Sequence, residues 1–552
     1  MNKLYAVTAA LLTSTALAAT PALAAEKQTD LAKQVQMLQD QLRTMQQQMD
    51  ALRTSDQATR ATVAQEKEII EAERKARAEK EMAEKEQAIK DGAKTRIVNG
   101  KTVLTPAPLP KIVEPANHRF QFSSADGAWT IAPTGRVHFD YGGYLNQKPD
   151  AAQAVGVGEN RLTSGTNVRR GRVGVTGKAM TDFTYSFVVE VGGSSDTTNT
   201  ANGGAITGLI NQAQLSYTGF RNTSIDFGYF AQYFVMEEAM SSNDILFMER
   251  ATPSTLASSF GAGDPRFGFG FRTWEPRWFF SAYITGTQPG VRHDLTYRNW
   301  NGFVRGSYQL VQSDTQTLHI GGGVMTTLQV PNGGPPAAGV NTARTIGFSD
   351  RPELRVDPTT LLNTGALGTA ANPVKSAQVY AVEAAGTYGA FFVQGEYFKY
   401  HVNRANYVPT ANVNGDPNSL NFDGAYVEAS YAWGGRHTYS VNCGCYGGIN
   451  PIDPFSMSGG GMGAFELALR VSYADLIDKY NSSLIAAVQP GSVNGGRQTN
   501  YTVGFNWFLN SNMVLKFNYV HSILDKASAN ARTGVASGFN MDALAGRVQF
   551  VF

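Results

Sequence analysis

Polar and apolar residues alternate along most of the chain from Gly135 onward. In MDALAGRVQFVF at the end of the chain, Leu544, Val548, Phe550 and Phe552 fall on one face, with Arg547 and Gln549 on the other. GAFELALRVSY sets Phe465, Leu467, Leu469, Val471 and Tyr473 against Glu466, Arg470 and Ser472. SNMVLKFNYVHS and TDFTYSFVVEV follow the same period of two, which is the signature of a strand with one apolar face. Sixteen such segments follow one another, from 135–146 to 540–552, joined by alternating short and long connections. An even number of ten-residue strands with charges recurring on the inner face predicts an all-β fold, a 16-stranded antiparallel transmembrane β-barrel. One connection, 434–461, is long on the short side, and RPELRV within 329–375 could pass for a further strand.

Ahead of the strands the period changes. Leu31, Val35, Leu38, Leu42, Met45, Met49 and Leu52 repeat at alternating steps of four and three, a heptad seam that predicts an oligomeric N-terminal α-helical coiled coil. A continuous helix from Gln28 to Lys94 would be roughly 100 Å long. Lys3, the apolar run from Leu4 to Ala19 and the small residues at Ala22-Leu23-Ala24 form a secretory signal. The domain order is then 1–24 signal peptide, 25–95 periplasmic coiled coil, 96–134 proline-rich linker, and 135–552 β-barrel with an inward loop at 232–264.

Composition supports the barrel and narrows the chemistry. There are 57 glycines and 53 Tyr plus Phe, suited to strands, tight turns and aromatic girdles. Charge is nearly balanced, 47 Lys plus Arg against 45 Asp plus Glu, so no nucleic-acid partner is expected. The seven histidines are scattered, and no HExxH, GxSxG or phosphate-loop motif occurs, so the expectation is no enzyme, no metal and no cofactor. Cys443 and Cys445 allow a disulfide, but a single intervening residue makes a strained ring. They read as loop residues without a function.

The blocks GRVHFDYGGY, VRRGRVGVTGK, MEEAMSSNDILFMER, GAFELALRVSYADL and NWFLNSNMVLKFNYVH resemble, in that order, the phosphate-selective porin O and P family. The resemblance implies a homotrimer of sixteen-stranded barrels in the bacterial outer membrane, with the third external loop folded inward to narrow each pore. MEEAMSSNDILFMER belongs to that loop. Its apolar residues can pack on the inner wall, leaving Glu237, Glu238 and Arg250 toward the lumen.

Strand parity adds Arg136, Arg170, Arg172, Arg266 and Arg272 to the inner face, and Arg169 joins them through the family pattern. Arginine forks attract and desolvate anions. Each of these arginines also has a plain structural reading as partner of Glu190, Glu428 or Glu466. One departure from the family bears on selectivity: Glu238 occupies what resembles a lysine site, and beside Glu237 it would repel anions.

The function these residues predict is passive passage of small hydrophilic solutes or ions, anions such as phosphate among them. The rival is a structural tether, with the coiled coil reaching peptidoglycan and the barrel as anchor. Phe552 resembles the terminal aromatic read by the barrel-insertion machinery, and membrane lipid is the other expected partner.

Overall fold

The computed structural model describes residues 36–37, 39–40, 43–50, 67–68, 70–77, 79, 94–98, 101–105, 111–113, 120–149, 162–192, 209–259, 265–287, 299–331, 343–481, 483–484, 488–527 and 536–552. The chain divides into two compact units, Met1–Ala107 and Pro108–Phe552.

In the first unit, residues 43–50 and 70–77 are helical, and Met45 and Met49 of the seam are exposed. The other seam positions, Leu31, Val35, Leu38, Leu42 and Leu52, lie outside the described residues, as does the expected signal peptide. A hairpin, Lys94–Val98 paired with Lys101–Thr105, spans the boundary between the expected coiled coil, 25–95, and the expected linker, 96–134.

In the second unit sixteen antiparallel strands close on themselves. They are β1 (Thr130–Pro149), β2 (Gly165–Ala179), β3 (Phe183–Glu190), β4 (Leu209–Tyr217), β5 (Thr223–Phe230), β6 (Arg266–Glu275), β7 (Trp278–Thr285) and β8 (Trp300–Gln312). The circuit continues with β9 (Gln316–Gln329), β10 (Val374–Tyr388), β11 (Phe391–Arg404), β12 (Ser419–Trp433), β13 (Ala464–Asp478), β14 (Val493–Phe508), β15 (Met513–Ala527) and β16 (Ala536–Val551). The strands expected from the sequence correspond to these one for one. RPELRV is not among them.

β1 starts at Thr130, five residues before the expected 135, and Pro133 sits within it opposite Val175. Proline lacks a ladder donor and is confined to strand starts and edges, and here it stands three residues from the strand's beginning. Two three-residue strands, Lys111–Val113 and Gln121–Ser123, extend the sheet at the foot of β1.

The seam between β16 and β1 closes the barrel, from Arg136 opposite Val551 to Pro149 opposite Phe539. At its foot the amide of Phe552 donates to Gly135 O at 3.0 Å, and the amide of Gly135 donates to Phe552 O at 2.9 Å. Only glycine fits at 135, because a Cβ there would lie 2.3 Å from the Phe552 ring and 2.8 Å from Arg172 O.

The wall is uneven in height. β3 to β7 have 8, 9, 8, 10 and 8 residues, whereas β8 to β16 have 13 to 16.

The outer face is that of a membrane barrel. Val304, Val382, Val427, Leu469, Val503, Phe517 and Leu544 are exposed on it. Aromatic residues gather toward the short connections, with Phe391–Tyr431 at 4.6 Å, Tyr431–Trp433 at 4.7 Å and Phe465–Trp507 at 5.7 Å between ring centres. Toward the other end Tyr397, Tyr501 and Tyr519 form a second belt. Around and beyond it the face turns polar, with Lys399–Asp423 at 2.9 Å and Arg497–Asp475 at 2.8 Å. Among the described residues no helix is long and apolar enough to cross a membrane.

Candidate pore constriction

Among the described residues, three connections lay segments against side chains of the inner wall. The β5–β6 loop carries two short helices, α1 (Met236–Ala239) and α2 (Thr252–Ser258). Phe234, Val235, Met236, Met240, Ile245, Leu246, Phe247 and Met248 are all buried there, a gain of about 1.5–3 kcal/mol for each large side chain. Gly504 of β14 makes room for the loop, since a Cβ at 504 would come within 2.9 Å of the Phe247 ring.

The second inner segment is the β9–β10 loop. RPELRV belongs to it, and its buried Leu354 explains the strand-like texture. A two-residue pairing, Ser349–Asp350 with Leu362–Asn363, folds the loop back on itself. The third is the β12–β13 connection, which leaves from the short-connection end. Its hairpin, Thr438–Ser440 with Cys445–Gly447, lies against the inner wall.

Wall arginines hold the first two of these segments by their carboxylates. Arg470 of β13 reaches Glu353 of the β9–β10 loop at 2.5 Å, Glu428 of β12 at 3.4 Å and Glu237 of α1 at 3.7 Å. Arg547 of β16 is bidentate on Asp140 of β1, at 2.7 Å through both nitrogens, and reaches Glu249 of the β5–β6 loop at 2.9 Å. The carbonyls of Ile245 and Met248 accept from Lys516 and Arg547. None of Arg470, Arg547 and Lys516 stood out in the sequence as a site residue, although all three fall on the polar parity of their strands.

The residues singled out from the sequence divide into two sets. Arg136, Arg169, Arg170 and Arg172 stand together where β1 and β2 pair. The pairing places His138 opposite Arg170 and Phe139 opposite Val168, so Arg169 is the extra residue of a β-bulge. The bulge turns two successive arginines to the interior. Arg169 is bidentate on Glu249 at 2.8 and 3.0 Å, Arg172 meets Glu190 at 2.6 Å, and Arg136 donates to Ser242 Oγ at 2.8 Å. Arg170 is only 4 % exposed, and its Nε and Nη1 have no hydrogen-bond partner among the described residues. His138 Nδ1 across the pair is equally without one.

The remaining candidates lie elsewhere. Glu237 is fully buried and accepts from the amide of Ala251 at 3.2 Å. Burial and the neighbouring Glu428 raise its carboxyl well above the usual range, against the pull of Arg470. Glu238 is 3.4 Å from Arg250, which also donates to Glu237 O and Met240 O and so fastens the loop to itself. Glu237 thus turns to Arg470 and Glu238 to Arg250. Arg266 donates to Ser259 O at 3.0 Å. Arg272 donates to Tyr233 Oη at 2.6 Å, within a setting that includes Asp226 at 3.6 Å.

The β9–β10 loop carries a pH dependence of its own. Asp350 accepts from Arg355 Nη2 at 2.8 Å, yet burial raises its carboxyl from the ordinary 3.8 to about 6. The stability such a group contributes is complete below its ordinary value and is lost as pH rises through the raised one. Amides of 346–363 are expected to exchange faster at about pH 7.5 than at about pH 5, after correction for intrinsic rates. Equal protection at both would show that Asp350 titrates normally.

The model of one protein family, phosphate-selective porin O and P, matches residues 132–552. This chain belongs to that family. The porin is 21 % identical over 447 residues to Porin O of Pseudomonas aeruginosa, covering 78 % of this chain and 90 % of that one. Among solved structures it is similar to an anion-selective porin from Comamonas acidovorans, at 13 % identity and a TM-score of 0.40, covering 77 % of this chain and all of the other. It is also similar to the outer membrane channel DcaP of Acinetobacter baumannii, at 11 % identity and a TM-score of 0.40, covering 78 % and 99 %. Family and barrel together make the porin an outer-membrane channel. Short connections in such barrels face the periplasm and long ones the exterior.

Proposed function

We propose that the porin gives passive passage to small hydrophilic solutes with a preference for anions, phosphate among them, through a constriction at Arg136, Arg169, Arg170 and Arg172. The supporting observation is Arg170. Arg169, Arg172, Arg305, Arg470 and Arg547 each meet a carboxylate within hydrogen-bonding distance. Arg170 instead presents two donors without an acceptor, and a guanidinium fork suits an oxyanion. Glu237, turned toward Arg470, and Glu238, set against Arg250, are not poised to oppose it.

Reversal potential in a salt gradient, measured on the purified protein in planar bilayers, tests this reading. The wild type is expected to prefer anions, and Arg170→Gln to lose much of that preference. Cation preference in the wild type, or a variant indistinguishable from it, would sink the reading.

A second role rests on the heptad seam of Leu31 to Leu52. Its seven positions support a periplasmic coiled coil that joins three barrels as a homotrimer and extends toward peptidoglycan. Phe552, bonded into the closing seam, is proposed as the residue recognised by the insertion machinery.

A further inference from the structure

The β12–β13 connection stands apart from the other short-end connections by its length, and its tip makes a particular contact. Three successive carbonyls converge on two wall arginines. Asn442 O accepts from Arg272 Nη1 at 3.3 Å, Cys443 O from Arg305 Nη1 at 2.7 Å, and Gly444 O from Arg305 Nη2 at 2.5 Å. Arg305 is fully buried, with its other edge on Glu383 at 2.8 Å. The tip also presses on the wall. Gly444 has φ +55°, and a Cβ there would come within 2.6 Å of Ser307 Oγ and 3.1 Å of the Phe279 ring.

A disulfide joins Cys443 to Cys445 around that glycine. Read from the sequence as loop residues without a function, the only two cysteines of the chain form this cross-link. On its far side the hairpin touches the β5–β6 loop. Cys445 Sγ lies 3.5 Å from Ala239 O of α1, and Cys443, Cys445 and Tyr446 share an apolar cluster with Met236, Met240 and Phe392. The cross-linked turn is therefore wedged between the wall arginines and the loop that narrows the lumen.

We propose that Cys443–Cys445 is a redox latch on the periplasmic mouth. Aiming three consecutive carbonyls at two guanidinium forks requires one fixed turn of the backbone at 442–444, and the cross-link imposes it. Reduction frees the turn, lets the hairpin leave the wall, and uncovers Arg272 and the second edge of Arg305 to permeating anions. The chemistry is thiol–disulfide exchange with a dithiol. One reagent thiolate attacks a cysteine sulfur and the S–S bond breaks. The second reagent thiol then resolves the mixed disulfide, leaving the reagent oxidised to a disulfide and both cysteines as thiols. Cys443 and Cys445 are buried inside the barrel, so in the cell the reductant would be a small diffusible dithiol that enters the lumen.

The gating half of this proposal rests on the reading of the barrel as a conducting pore, so the test carries two readouts. The full-length porin, reconstituted and treated with dithiothreitol, is first shown by alkylation and mass to carry two thiols. Amides of 438–447 are then expected to exchange about tenfold faster or more, with barrel amides unchanged. Conductance is expected to rise, and reversal potential to move toward anions. Cys443→Ser/Cys445→Ser should behave like the reduced protein and ignore the reagent.

Unchanged exchange in fully reduced protein overturns the latch, whatever the conductance does. Faster exchange with unchanged conductance in a conducting channel overturns the gate. A protein that never conducts refutes the pore reading, while its exchange rates still judge the latch.

Discussion

Replacing Arg470 with methionine is expected to cost the folded porin about 3–5 kcal/mol, the range for removing one side of a buried ion pair. It should also release two lumen segments together. Arg470 is the common cation for Glu353, Glu428 and Glu237, which come from the β9–β10 loop, β12 and the β5–β6 loop. Methionine fills similar volume and leaves those acids uncompensated. Glu353 has other partners, accepting from Ser472 Oγ at 2.5 Å and from the amide of Thr252 at 3.0 Å, but none of them carries charge. The outcome would be read as denaturant unfolding in detergent and as new protease cuts within 231–265 and 343–373. Adding Glu353→Gln and Glu428→Gln should restore part of the loss. A single variant that unfolds with the wild type would show that Arg470 is not the clamp.

Glu249→Gln should produce the second large effect, about 3 kcal/mol by the same reasoning, and a change in permeation as well. Glu249 accepts two bonds from Arg169 and one from Arg547, and Arg355 stands 3.9 Å away. Burial pushes its carboxyl up, but Arg169, Arg170 and Arg547 outweigh this and hold it well below the usual range. It is therefore charged throughout the working range, and the stability it lends is lost only as pH falls through the depressed value. This is the opposite direction to Asp350. Without that charge the Arg169–Arg170 pair should act on permeating ions unopposed, so reversal potential should shift toward anions. A shift toward cations, or none, would place these arginines outside the conduction path.

Much of the barrel could be read from period and parity. Exposed Phe139, Val173, Phe269 and Val304 alternate with inward His138, Arg172, Gly268 and Arg305 as the sequence predicts. Parity says which face a side chain takes, but not what it meets across the lumen. Arg470 and Glu353 are 117 residues apart and Arg547 and Asp140 are 407 apart, so neither pair leaves a local mark. The bulge at Arg169 breaks parity by one residue, and only the paired strand reveals it. The inward course of 434–463 did leave a trace, a long connection where a short one belongs. RPELRV could pass for a strand for a related reason, because a loop buried against the inside of a barrel is as apolar as a strand.

The uneven wall has a consequence for the bilayer. Eight residues at about 3.3 Å rise, tilted about 40°, stand roughly 20 Å tall along the membrane normal, while fourteen stand roughly 35 Å. The apolar band of an outer membrane is about 25 Å. Lipid beside β8 to β16 can keep its full thickness, but beside β3 to β7, where strands of roughly 20 to 25 Å stand side by side, the acyl chains must shorten by up to about 5 Å or yield their place to protein. At fractions of a kcal/mol per Å, that elastic penalty gives the cylinder a lopsided surroundings, with one flank that lipid wets poorly.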